Sequence, residues 1–102
     1  IERAVELAKD HGIKRAVLLP VSAPFHCSLM APAADVMAQA LETTPPGTLT
    51  LPVYANVTAA RVTDPEEERE LLIKQVTGQV RWRESVAQMH ADGAEEFVEL
   101  GA

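Results

Sequence analysis

Apolar positions along the chain fall into helical stripes separated by short apolar runs. Ile1, Ala4, Val5 and Ala8 share one face at helical spacing. That predicts a helix over residues 1–11, with Gly12 as its left-handed C-terminal residue. The run RAVLL, residues 15–19, ends at Pro20 and has the length of a buried strand. Leu29, Ala33, Val36, Met37 and Ala40 mark a second helical face. Its helix is expected from an N-cap at Ser28 to about Glu42, with Pro32 tolerated in the first turn. TTPPG at residues 43–47 ends it.

LPVYANV, residues 51–57, reads as a strand, and residues 60–62 as a shorter extended piece. Asp64-Pro65-Glu66-Glu67 has the order of a helix start: a capping carboxylate, proline at the first position, then acids facing the positive end of the dipole. That helix is expected to reach about Val76, and Thr77-Gly78-Gln79 to break it. Trp82, Val86 and Met89 line one face of a further helix over residues 82–91, closed by Gly93, with Trp82 as a core anchor. Residues 96–100 read as a last strand. Strands separated by helices predict an α/β fold with parallel pairing and helices packed on the sheet.

Composition narrows the class. The chain has 102 residues, 47% of them hydrophobic and 24% charged, as in an ordinary soluble globular domain. Its formal net charge of −6 argues against nucleic acid as the main partner. No apolar run approaches the roughly 18 residues of a membrane span, so no membrane partner is expected. A lone cysteine, Cys27, forms no internal disulfide and fits a reducing cytoplasm. The chain opens inside a helical pattern and stops just after an apolar run, so it is read as a fragment of something larger.

His26 is the best candidate for chemistry. It sits in VSAPFHCSLM, a loop that leaves an apolar run and enters a helix, where α/β proteins place reacting groups. The positive end of that helix disfavours an imidazolium and so favours the neutral ring that a general base needs. A half-buried histidine bonded to backbone is the competing reading. His11 and His90 read as surface residues, Cys27 as a small packed thiol, and EEERE at 66–70 as a solvated helix start. Neither a glycine-rich phosphate loop nor metal-ligand spacing is present.

VSAPFHCSLMAPAADVMAQAL resembles the histidine-bearing segment of the malonyl-CoA:acyl carrier protein transacylases, the acyltransferase family that also supplies loading domains of polyketide and fatty acid synthases. LPVYANV is similar to that family's VxxN strand, KQVTGQVRWRESVAQM to its Q-x-x-x-P-V-x-W segment, and GAEEFVELG to the strand before its Gly-Pro-Gly turn. The resemblance covers nearly all of the chain in the family's order. It implies the C-terminal part of an α/β-hydrolase-like large subdomain over residues 21–102. Residues 1–20 would be the last helix and strand of a ferredoxin-like small subdomain.

By the same resemblance, His26 matches the catalytic base, Gln75 the residue whose backbone carbonyl orients it, and Phe25 the aromatic of malonyl-selective members. The family's nucleophile is a serine in a GxSxG elbow, a motif this chain lacks. Gln79 stands where the family has proline, which implies a looser turn after Gln75. The implied partners are malonyl-CoA and acyl carrier protein. No resident cofactor or metal is implied, coenzyme A thioester being a substrate, and the full-length protein would be a monomer. The competing class is a non-catalytic binding module that docks acyl carrier protein or a partner subunit through a basic rim of Arg15, Lys74, Arg81 and Arg83.

Overall fold

The computed structural model describes residues 1–18 and 20–101. In chain order it has helix α1 (Glu2–Ala8), a 3-10 turn (Ser28–Met30), α2 (Ala31–Thr43), strands β1 (Val53–Ala55) and β2 (Ala60–Val62), then α3 (Pro65–Gln75) and α4 (Trp82–Ala91). The architecture is a small α/β arrangement in which α3 packs across the two strands, α2 lies on α3 and α4 touches β1.

The helix ends follow the sequence chemistry closely. Asp64 Oδ1 accepts from the N–H groups of Glu66 (2.8 Å) and Glu67 (2.9 Å), with Pro65 at the first helical position. Two glycines close helices in the same way. Gly12 (φ +76°) donates to Lys9 O while Ile13 donates to Ala8 O, and Gly93 (φ +100°) donates to His90 O while Ala94 donates to Met89 O. Both are Schellman closures, which require a left-handed residue that glycine adopts without steric cost.

The sheet departs from the expectation. β1 and β2 pair antiparallel, with Val53 opposite Val62, Tyr54 opposite Arg61 and Ala55 opposite Ala60. Their connection is only residues 56–59, turned by Ala59 at φ 52°, whereas a parallel pair needs a crossover of about a dozen residues or more. The strands expected at 15–19 and 96–100 are not formed among the described residues. Residues 15–18 and 96–100 lie extended or irregular with no strand beside them, and Leu19 lies outside the described residues. Ser28 does not cap a helix with its side chain. It opens the 3-10 turn, and Met30 holds the N-cap position of α2.

The core is small: Ala55, Val62 (2% exposed) and Leu71, with Val57 packed against them. Elsewhere the apolar stripes stay open. No residue of α2 is buried, Leu29 and Val36 are mostly exposed, and Trp82 at 71% exposure is a surface ring, not the expected core anchor. The radius of gyration, 16.5 Å, exceeds the roughly 13 Å of a compact domain this long. These faces are patterned for burial, and the described residues leave much of them open. No helix among the described residues is long and apolar enough to cross a membrane.

Candidate active site

His26 lies in the loop between α1 and the 3-10 turn. Its backbone is left-handed (φ 55°), a region that costs a non-glycine residue about 1–2 kcal/mol. Local bonds hold the loop: Phe25 N–H donates to Ala23 O, Cys27 Sγ donates to Pro24 O, and Met30 N–H donates to Cys27 O. Strain maintained this way is a recurring mark of functional loops.

The ring of His26 reaches across the fold. Its Nδ1 lies 3.0 Å from the backbone oxygen of Gln75, 49 residues away in sequence. Gln75 is the last residue of α3, where carbonyls have no partner within the helix, so this oxygen is available to an outside donor. A carbonyl can only accept. The contact is therefore a hydrogen bond only when Nδ1 carries the proton, which leaves Nε2 of the neutral ring with a free lone pair. His26 is solvent-exposed, so that lone pair is reachable.

Phe25, beside His26, keeps 55% of its surface open. His11 and His90 are exposed, with His90 Nδ1 3.3 Å from Ala94 O. Among the described residues no cluster of histidine, cysteine and acids is placed to hold a metal ion. Three of the four basic-rim residues contact other groups of the chain, two of them at the exposed surface. Lys74 pairs with Glu70, Arg83 lies 3.6 Å from Glu84, and Arg81 Nη1 donates to Val57 O.

Three features were not foreseen. Asn56, just after β1, donates from Nδ2 to Gln79 O (2.9 Å) and accepts at Oδ1 from Arg81 N–H (2.7 Å), fastening the loop that follows Gln75. No local pattern points to partners 23 and 25 residues away. Tyr54 donates to Asp92 Oδ2 at 2.6 Å while Gln88 donates to Oδ1, joining β1 to the end of α4. The shared hydrogen bond raises the tyrosine's pKa and lowers the carboxylate's.

Glu68 breaks the expectation of a solvated acidic run. It is 7% exposed, and its Oε2 has no partner. Burial, then the charge of Glu67, pushes its carboxyl above the ordinary value. A cavity of about 210 Å³ runs along it, with Asn56, Leu71, Leu72 and Gln75 in its wall. The signal was present: Glu68, Leu71, Leu72 and Gln75 stand at i, i+3, i+4 and i+7 and share the packed face of α3. A wider open groove of about 730 Å³ lies between α4 and residues 97–99, lined by Trp82, Val86, Met89 and Phe97.

No family model matches the chain. A curated malonyl CoA-acyl carrier protein transacylase of Bacillus subtilis is 41% identical over 101 residues, 99% of this chain and 32% of the relative. Malonyl CoA-acyl carrier protein transacylases of Haemophilus influenzae and Escherichia coli are 43% and 42% identical over 101 residues of this chain. The chain spans about a third of the length of the curated relatives it matches. Solved structures agree. The acyl-carrier-protein-S-malonyltransferase of Bartonella henselae is 52% identical with a TM-score of 0.70, over 90% of this chain and 29% of that one. The Streptococcus pneumoniae MCAT structure is 39% identical with a TM-score of 0.76, over 99% of this chain and 33% of that one. At Gln79 the backbone carbonyl, which any residue at this position would offer, accepts from Asn56 Nδ2.

Proposed function

We propose that this chain is the histidine-bearing part of an acyltransferase that moves a malonyl group from coenzyme A to the phosphopantetheine thiol of acyl carrier protein through a seryl ester. The observation that carries the reading is the 3.0 Å contact between His26 Nδ1 and Gln75 O, which commits the ring proton to Nδ1 and frees Nε2 as a base. In this reading the serine lies outside this chain, which has no GxSxG motif.

In the first half-reaction Nε2 takes the serine proton as Oγ bonds to the malonyl carbonyl carbon. The tetrahedral adduct then expels the coenzyme A thiolate, which takes the proton from Nε2. In the second, Nε2 takes the proton of the phosphopantetheine thiol, the sulfur attacks the ester, and serine leaves with the proton. Gln75 acts through its backbone carbonyl, holding the tautomer as an aspartate does in other hydrolytic triads. Phe25, next to the base, narrows the space at the malonyl α-carbon.

No step draws on a resident cofactor or metal; coenzyme A is a substrate carrier. In this reading residues 1–20 close the small ferredoxin-like subdomain and residues 21–102 belong to the hydrolase-like large one. The whole enzyme is a cytoplasmic monomer that engages neither nucleic acid nor membrane. The test is His26→Ala in the full-length enzyme. Acyl-enzyme formation from labelled malonyl-CoA is expected to slow by about 10²–10⁴-fold with the fold retained. Undiminished labelling of the serine would refute the assignment.

A further inference from the structure

We propose that Asn56 is a positioning residue for the base: its carboxamide clamps the loop after α3 and thereby sets the Gln75 carbonyl that holds the His26 ring. The inference rests on the reading of His26 as the base. It starts from a weakness in the acceptor. Gln75 O is the last carbonyl of a helix, where chains fray, and it is followed by five residues, 76–80, before α4 is approached at Arg81. An acceptor on a fraying end holds no ring in place. The loop is instead tied at several points, and Asn56 supplies two of them.

Asn56 is half-buried and follows directly on Ala55, which is core, so its backbone is fixed by the hairpin. From there Nδ2 donates to Gln79 O and Oδ1 accepts from Arg81 N–H. The two partners fix the orientation of the amide, because a flipped group would set its oxygen against a carbonyl and its NH₂ against an N–H. Arg81 adds a third tie through Nη1 to Val57 O, and Gly78 N–H closes the turn onto Gln75 O itself at 3.2 Å. The carbonyl that meets His26 is thus held from within its own turn, and the turn is held by Asn56.

The chemistry required is one donor and one acceptor on a short planar group. Aspartate loses the donor and points an oxygen at Gln79 O. Leucine keeps the volume but leaves Gln79 O and Arg81 N–H unpaired. Serine retains one short polar atom and is the mildest change. In each, the Gln75 carbonyl is free to drift. Displacement of a catalytic group by about 1 Å costs on the order of 100-fold in rate.

The experiment uses the full-length enzyme with Asn56→Asp, Asn56→Leu and Asn56→Ser, and His26→Ala beside them. With ¹⁵N-histidine labelling, the His26 signals are assigned by their loss in His26→Ala. The Asn56 variants are expected to lower the Nδ1–H tautomer fraction and raise the Nε2–H fraction. Acylation kcat should fall about 10–100-fold with KM for malonyl-CoA within about twofold of wild type. An unchanged tautomer fraction in a folded variant overturns the proposal, as does a kcat loss matched by an equal rise in KM. Should the aspartate and leucine variants fail to fold, the same tautomer measurement on Asn56→Ser decides. Retained acylation in His26→Ala would remove the base assignment instead. The tautomer signal still tests the clamp in that case, so the two failures are told apart.

Discussion

Replacing Glu68 by leucine is expected to stabilise the chain, and by more at pH 7 than at pH 4. Glu68 is 7% exposed, packs beside Leu71 on the buried face of α3, and has no partner at Oε2. A buried polar atom without a partner costs about 1–3 kcal/mol, and more when it is charged. Against this stands one benefit. Glu68 is an acid in the first turn of α3, where the dipole is worth about 0.3–1 kcal/mol. The burial cost is the larger, so leucine should gain about 1–2 kcal/mol at neutral pH.

The pH dependence follows from the direction of the shift. Burial, and secondarily the charge of Glu67, raises the folded-state pKa above the ordinary 4.5. Between the ordinary and raised values the folded chain holds its proton while the unfolded chain has released it. Stability therefore falls as pH rises through that window, and it stays level above. Near pH 4 the carboxyl is largely neutral in both states and most of the charge penalty is absent. Urea unfolding of wild type and Glu68→Leu at the two pH values, followed by circular dichroism, measures the difference directly. Equal gains at both pH values would refute the charge argument. A loss at pH 7 would mean that Glu68 has a favourable partner.

Tyr54→Phe removes the donor to Asp92 and frees the end of α4 from β1. The lowered carboxylate makes its share of stability present above the unfolded value and lost as pH falls through the folded one. The raised tyrosine makes its share present below 10.0 and lost as pH climbs past it. Thermal melts of Tyr54→Phe should therefore lose both the acid-side and alkaline-side dependence that this pair contributes; retention of both would exclude the pair as their source. Phe25→Ser in the full-length enzyme should shift turnover toward methylmalonyl-CoA relative to malonyl-CoA by about 5–150-fold, the value of one methyl at about 1–3 kcal/mol. Competition between the two thioesters measures it, and an unchanged ratio would remove Phe25 from selectivity.

Local chemistry was legible in the sequence wherever it is local in space. Asp64-Pro65 starts α3, and Gly12 and Gly93 close their helices, because caps are settled within a few residues. The pairing of strands was not. RAVLL and FVEL are apolar enough for buried strands, but a strand exists only with a neighbour to share its ladder, and neither has one among the described residues. The two strands that do form lie four residues apart, and that short connection decides their direction more firmly than any α/β alternation. Trp82 and the α2 stripe show the same limit. The pattern states that a face is made for burial but not what buries it. At the site, His26 stood out by its loop, and Asn56 had no mark beyond a place in a strand motif.

His26 stands between two helix ends. The sequence placed the ring before a helix start, and in the fold the 3-10 turn at Ser28–Met30 runs directly into α2 at Ala31. The ring also meets the far end of another helix, where the last carbonyl of α3 faces Nδ1–H. That end carries partial negative charge. In the proposed mechanism it stabilises the positive charge that develops when Nε2 takes a proton from serine, and it still fixes the tautomer that makes Nε2 a base. On that proposal a single backbone oxygen takes the orienting role and part of the electrostatic role of a triad carboxylate. It would do so only while the turn behind it stays closed, so the proposed base is His26 together with the turn from Gln75 to Arg81.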